Sequence, residues 1–279
     1  MNDQHDYGCP YDLQAIFTRR RALGLIMTVA AGGLAGCDQL PFAARAETEV
    51  SAVGPDGKEC VVHPRETEGP FPADGSNRAH GTLANVLRDS GIVREDVRNS
   101  LTTDGPRADG VPLHLTIELV AVGTSCRPLA GHAVYLWHCD ADGRYSLYDL
   151  PDASYLRAVG VADMVGRVSF TTIVPGCYEG RFPHMHFEIY PALDKATDYR
   201  NRSLTSQLVV PAATCKEAYA RHAAYRRSID RLSRSSLERD GIFRDNTPKQ
   251  LAAQTLRTKL EEDGSYRAAV TIGVKSTAG

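Results

Sequence analysis

From Leu113 to Val122, apolar residues take every second position, with Leu113, Leu115, Ile117, Leu119 and Ala121 on one face and His114, Thr116 and Glu118 on the other. A side-chain period of two belongs to a strand with one face in a core. Shorter strand-like segments follow at 131–139, 166–173, 184–190 and 205–210, parted by turn sequences such as Asp140-Ala-Asp-Gly143 and Pro175-Gly176. Close-set strands with Gly and Asp between them argue for an antiparallel sandwich or barrel rather than alternating βα units. The expected fold is therefore all-β, an antiparallel β-sandwich. The tail, Ser265 to Val274, alternates as well and reads as a closing strand of the same domain.

Ahead of the strands, residues 47 to about 110 are rich in Gly, Pro, Asp and Arg. They read as a long irregular N-terminal arm with one short helix around Leu83 to Arg88. A minor helix is expected from Cys215 to about Ser236, where the charge-dense stretch Arg226 to Arg239 reads as its solvated face. The chain has 279 residues, 24% of them charged, and a formal charge of −2. It has no basic excess to neutralise a phosphate backbone, so nucleic acid is not an expected partner.

Residues 1–46 look like an address, since Arg19, Arg20 and Arg21 precede the apolar, small-residue stretch Leu23 to Ala35, which is too short for a stable membrane span. Leu34-Ala35-Gly36-Cys37 matches a lipobox, which implies membrane attachment through a lipidated Cys37. Cleavage after Ala46 is the competing reading, and either predicts an exported protein, periplasmic or anchored to the cell envelope. Residues 47–279 are then expected to form one β-sandwich domain. Of seven cysteines, Cys60, Cys126, Cys139, Cys177 and Cys215 lie beyond the leader, an odd number that predicts up to two disulfides and one leftover thiol.

The chemistry concentrates at Tyr145, Tyr178, His184 and His186. On a strand, His184 and His186 share a face and can grip one metal ion. Tyr145 follows the Asp140–Gly143 turn and Tyr178 follows Pro175-Gly176, so both tyrosines sit beside strand ends, where binding groups are commonly held. Phenolate is a hard, electron-rich oxygen donor that suits ferric iron better than zinc or calcium.

The run Trp137 to Tyr145, joined to Pro175-Gly-x-Tyr-x-Gly-Arg-x-Pro-His-x-His-Phe187, resembles the iron site of the intradiol ring-cleavage dioxygenases, the family of catechol and protocatechuate dioxygenases. Thr67-Glu-Gly-Pro-Phe71 and Ser206-Gln207 extend the likeness, which covers residues 58 to 215 or so. The resemblance implies Fe(III) held by Tyr145, Tyr178, His184 and His186, with Tyr178 the ligand that substrate displaces. It implies Arg181 as a fixed positive charge beside the substrate ring, and Gln207, Pro70 and Phe71 as substrate contacts. The implied partners are a catechol-type molecule and O₂, and the implied product is a cis,cis-muconate-type dicarboxylic acid. Two other readings stand beside it. One is an exported metal-binding or scaffold lipoprotein without turnover, and the other is a metal hydrolase using His184, His186 and Glu188, the next residue on their strand face.

Overall fold

The computed structural model describes residues 50–275; the leader, Cys37 and the cleavage point at Ala46 lie outside them. The strands are β1 (Ser51–Val53), β2 (Glu59–Val61), β3 (Asp74–Ala79), β4 (Thr82–Asn85), β5 (Pro112–Ala121), β6 (Arg127–Pro128), β7 (Ala133–Trp137), β8 (Arg157–Val161), β9 (Arg167–Ile173), β10 (His184–Tyr190), β11 (Leu204–Val209), β12 (Arg257–Leu260) and β13 (Tyr266–Val274). The helices are α1 (Ala212–Arg221), α2 (Arg226–Arg234) and α3 (Pro248–Gln254). The fold is all-β, as the alternation predicts.

One sheet runs β11-β10-β7-β8, every neighbouring pair antiparallel. In the other, β5 lies between β9 and β13, with β6 paired to its end and β12 beyond β13. The β5–β13 pair is parallel, the one departure among these pairs from an antiparallel plan. Gly160 on β8 marks how closely the sheets approach, because a Cβ there would come within 2.3 Å of Val168 Cγ2 on β9. Arg and Gly in β8 hide it from a reading based on apolar alternation.

Leu113, Leu115, Ile117 and Leu119 of β5 pack with Val134, Leu136, Met185, Phe187 and Ile189 in the core between the sheets. The other face of the four-stranded sheet is buried too. Ala133, Tyr135, Trp137, Tyr145, Tyr178 and Tyr190 form a second cluster with Ala73, Val86, Leu87 and Ile92. All seven residues of β10 are consequently buried, even though its side chains alternate between two faces.

The second cluster corrects the reading of the arm. Residues 83–85 belong to the β3–β4 hairpin, and no helix forms over 83–88. The arm is a covering layer whose apolar residues seal the outer face of the sheet. The expected single helix over 215–236 is two, separated by a 3-10 turn at Ala223–Tyr225, and α3 follows with a capping box on Thr247 and Gln250. The cysteines differ as well. There is one disulfide among the described residues, Cys60–Cys126, and Cys139, Cys177 and Cys215 are buried free thiols.

Candidate metal centre

The candidate site forms on the arm-covered face of the four-stranded sheet. Register decides much of it, since His186 lies opposite Trp137 on β7 and Gln207 on β11, and directly opposed residues share a face. Trp137 stacks flat on the His186 ring, with centroids 5.0 Å apart and planes 10° from parallel. His184, two residues back on β10, presents its ring to the same side, 4.7 Å from that of His186.

Each tyrosine arrives on its own turn. After β7, the Asp140 carboxylate accepts the Asp142 and Arg144 N–H groups, which fixes the turn leading to Tyr145. Tyr178 follows Gly176, whose N–H donates to the Asp140 carbonyl at 3.0 Å. A Cβ on Gly176 would meet the Ala141 and Asp140 carbonyl oxygens at 2.5 and 2.6 Å, so only glycine lets the two turns touch. Their rings stand edge to face, centroids 5.8 Å apart.

The polar atoms of these four residues converge. His184 Nδ1 donates to the Phe182 carbonyl at 2.6 Å, which leaves a lone pair on Nε2 of the neutral ring. That atom lies 3.1 Å from Tyr178 Oη, 3.0 Å from His186 Nε2 and 3.3 Å from Arg181 Nη1. A single lone pair cannot satisfy three neighbours. The Tyr145 hydroxyl, beside Tyr178, is buried without a hydrogen bond of good geometry. Burial, and then the Arg181 charge, hold both imidazoles well below the ordinary histidine pKa, so both stay neutral. Burial, and then Tyr178, hold the Tyr145 phenol well above its ordinary value.

This donor set fits a metal ion. Two donors bonded at about 2.1 Å and set at right angles lie about 3 Å apart, matching the His184–His186 spacing. A bound cation would also reverse the electrostatics that keep Tyr145 protonated. Among the described residues no three His, Cys, Asp or Glu side chains form a metal-binding group. An ion on His184 and His186 would therefore draw its remaining donors from the phenols. Glu188 does not complete a hydrolase-type triad, because its carboxylate accepts from Tyr190 Oη at 2.6 Å and pairs with Arg202.

Arg181 is buried, and its fork is fully directed. Nε donates to Asp240, Nη2 donates to Gln207 Oε1 at 2.6 Å, and Nη1 points at Tyr178 and His184. Gln207 in turn donates through Nε2 to the Thr67 carbonyl. Asp240, absent from the sequence reading, also accepts the N–H groups of Phe182 and Ile242. It lies one residue beyond the stretch read as a solvated face, and nothing local marks it. Arg157 is another such residue, buried at 1% exposure, donating to the carbonyls of Phe71, Pro72 and Ser146 and so tying the arm to the Tyr145 turn. Phe71 stacks on Tyr145 at 4.7 Å, and it lines a neighbouring cleft together with Pro70.

Residues 94–208, which include both tyrosines, both histidines, Arg181 and Gln207, match the model of the Dioxygenase family. Over this segment the chain resembles the intradiol ring-cleavage dioxygenases. A catechol 1,2-dioxygenase of Pseudomonas sp. (strain EST1001) is 27% identical over 133 residues, a match spanning 47% of this chain and 38% of that enzyme. An intradiol ring-cleavage dioxygenase structure from Tetranychus urticae superposes with a TM-score of 0.57 at 22% identity, covering 78% of this chain and 96% of that one, a likeness of fold. The Arg181 partner Asp240 and most of the arm lie outside the matched segment.

Proposed function

We propose that the protein is a non-haem Fe(III) dioxygenase that opens a catechol-type ring between its two hydroxylated carbons, placing both atoms of O₂ in a dicarboxylic product. The observation that carries this reading is the convergence of Tyr145, Tyr178, His184 and His186 polar groups beside a buried guanidinium. When bound there, ferric iron would supply Lewis acidity that polarises the substrate oxygens and activates the ring toward O₂.

The residues do the rest. His184 and His186 stay neutral because a buried imidazolium next to Arg181 is unfavourable. Tyr178, in the phenolate form, takes up one catechol proton at Oη as the substrate's second oxygen binds. Arg181 Nη1 faces the same point and offers a fixed positive charge where negative charge gathers on the substrate oxygens. Its fork is pre-set by Asp240 and Gln207, so no reorganisation is needed during the reaction. Trp137 stacks on His186 and Phe71 on Tyr145, which holds the ligand rings in their orientations.

Export, with or without lipidation at Cys37, belongs to the same proposal and is supported by the Cys60–Cys126 disulfide, which persists in oxidising compartments. The test is iron content, colour and oxygen uptake measured together. The purified protein should hold about one iron per chain, absorb in the visible through tyrosinate-to-iron charge transfer, and consume O₂ with a panel of catechols. Tyr178→Phe should retain iron and lose at least about 100-fold in turnover. Full activity in that variant, or a colourless zinc protein, refutes the reading.

A further inference from the structure

A cleft of about 760 Å³ adjoins the four donors through Phe71. The segment Thr67–Phe71 is a wall common to both. Thr67 lines the cleft while its carbonyl accepts from Gln207, and Phe71 lines it while stacking on Tyr145. Aromatic rings continue outward, as Tyr148 meets Phe71 edge-on at 5.2 Å and Tyr199 lines the cleft as well.

Size and charge narrow the occupant. A cavity of about 150 Å³ suffices for one benzene ring, so this cleft exceeds a single catechol several-fold and falls within the range of about 300–1,000 Å³ that houses larger organic ligands. Its lining arginines are both engaged, Arg202 by Asp74 and Glu188 at 3.1 and 3.2 Å with Glu68 at 3.8 Å, and Arg78 by the Gly81 carbonyl, to which it donates at 2.8 Å. The Asn77 amide is bonded to Pro70 and Tyr148. What the walls offer to a ligand is chiefly the aromatic surface of Phe71, Tyr148 and Tyr199.

Resting on the dioxygenase reading, the geometry points to a subsite for a second, uncharged aromatic ring, making the substrate class a catechol with an aryl substituent. The dihydroxylated ring sits at the four donors and the substituent extends past Phe71 into the cleft. The full-chain, iron-loaded protein would be compared on 4-phenylcatechol and catechol by oxygen uptake, and calorimetry would follow binding of 3,4-dimethoxybiphenyl, which cannot chelate. The kcat/KM ratio should favour 4-phenylcatechol by about tenfold or more. Ala79→Trp, which fills the cleft, and Tyr199→Ala, which removes a wall ring, should each collapse that preference and weaken dimethoxybiphenyl binding. If Ala79→Trp does not fold, Tyr199→Ala carries the test alone. A ratio near one that neither variant moves, with no dimethoxybiphenyl binding, overturns the subsite. Dimethoxybiphenyl binding that Tyr199→Ala abolishes, in a protein that cleaves no catechol, keeps the subsite and defeats the dioxygenase reading instead.

Discussion

Arg181 and Asp240 form a pair at 3.1 Å in which both side chains are almost fully buried. Asp240→Asn leaves a buried guanidinium without its counter-charge, and breaking such a pair costs about 3–5 kcal/mol. Urea denaturation should register that loss, while Arg181→Lys, which keeps the charge but loses the fork, should lower kcat about 100-fold in oxygen-uptake assays. Glu66 predicts a pH effect. Burial raises its carboxyl from the ordinary 4.5 to about 7, against opposing hydrogen bonds from Asn246 and Gln254. The folded state therefore holds this proton more tightly than the unfolded chain does. Its contribution makes stability fall as pH rises from 4.5 to 7, with a slope of at most about 1.4 kcal/mol per pH unit. Glu66→Gln should flatten the stability curve across that window. An unchanged slope in the variant would remove Glu66 from the account.

Among the elements, β10 does the most to build the site, and it was legible. His-x-His on a strand places both rings on one face whatever the surroundings, because the period of two is a backbone property. The tyrosine turns were legible as turns, but their contact was not. Gly176→Ala would drive a Cβ against two backbone oxygens that cannot move independently of the Asp140 turn. The variant should remain folded with a lower melting temperature and lose the visible charge-transfer band, since Tyr145 and Tyr178 would no longer meet. Retention of the full band would show that the turns tolerate separation. Strand β8 and the β3–β4 hairpin escaped the sequence reading because Arg157, Gly160 and the polar run Asp74–Ala79 break apolar alternation. Their burial comes from partners distant in the chain.

At the scale of the molecule, two cores share one sheet, and the arm that covers the outer core is stapled by Cys60–Cys126, 66 residues apart in sequence. Closing a loop of that length stabilises by about 4 kcal/mol in the chain-entropy model. Reduction should therefore lower the melting temperature markedly, and Cys60→Ala should do the same. Cys139, Cys177 and Cys215 should stay unreactive toward a thiol reagent until the protein unfolds, as burial raises all three thiols, Cys177 to about 11. Rapid native labelling of any of them would contradict the packing. Alternation and turn chemistry are written locally, so the all-β class, the main sandwich strands and the residues that converge at the candidate site could be picked out from the chain alone. Which cysteines pair, that the arm is a lid with its own core, and that Asp240 and Arg157 hold the site in place depend on residues tens of positions apart. Only the folded chain brings them together, because burial and charge pairing are properties of neighbours in space.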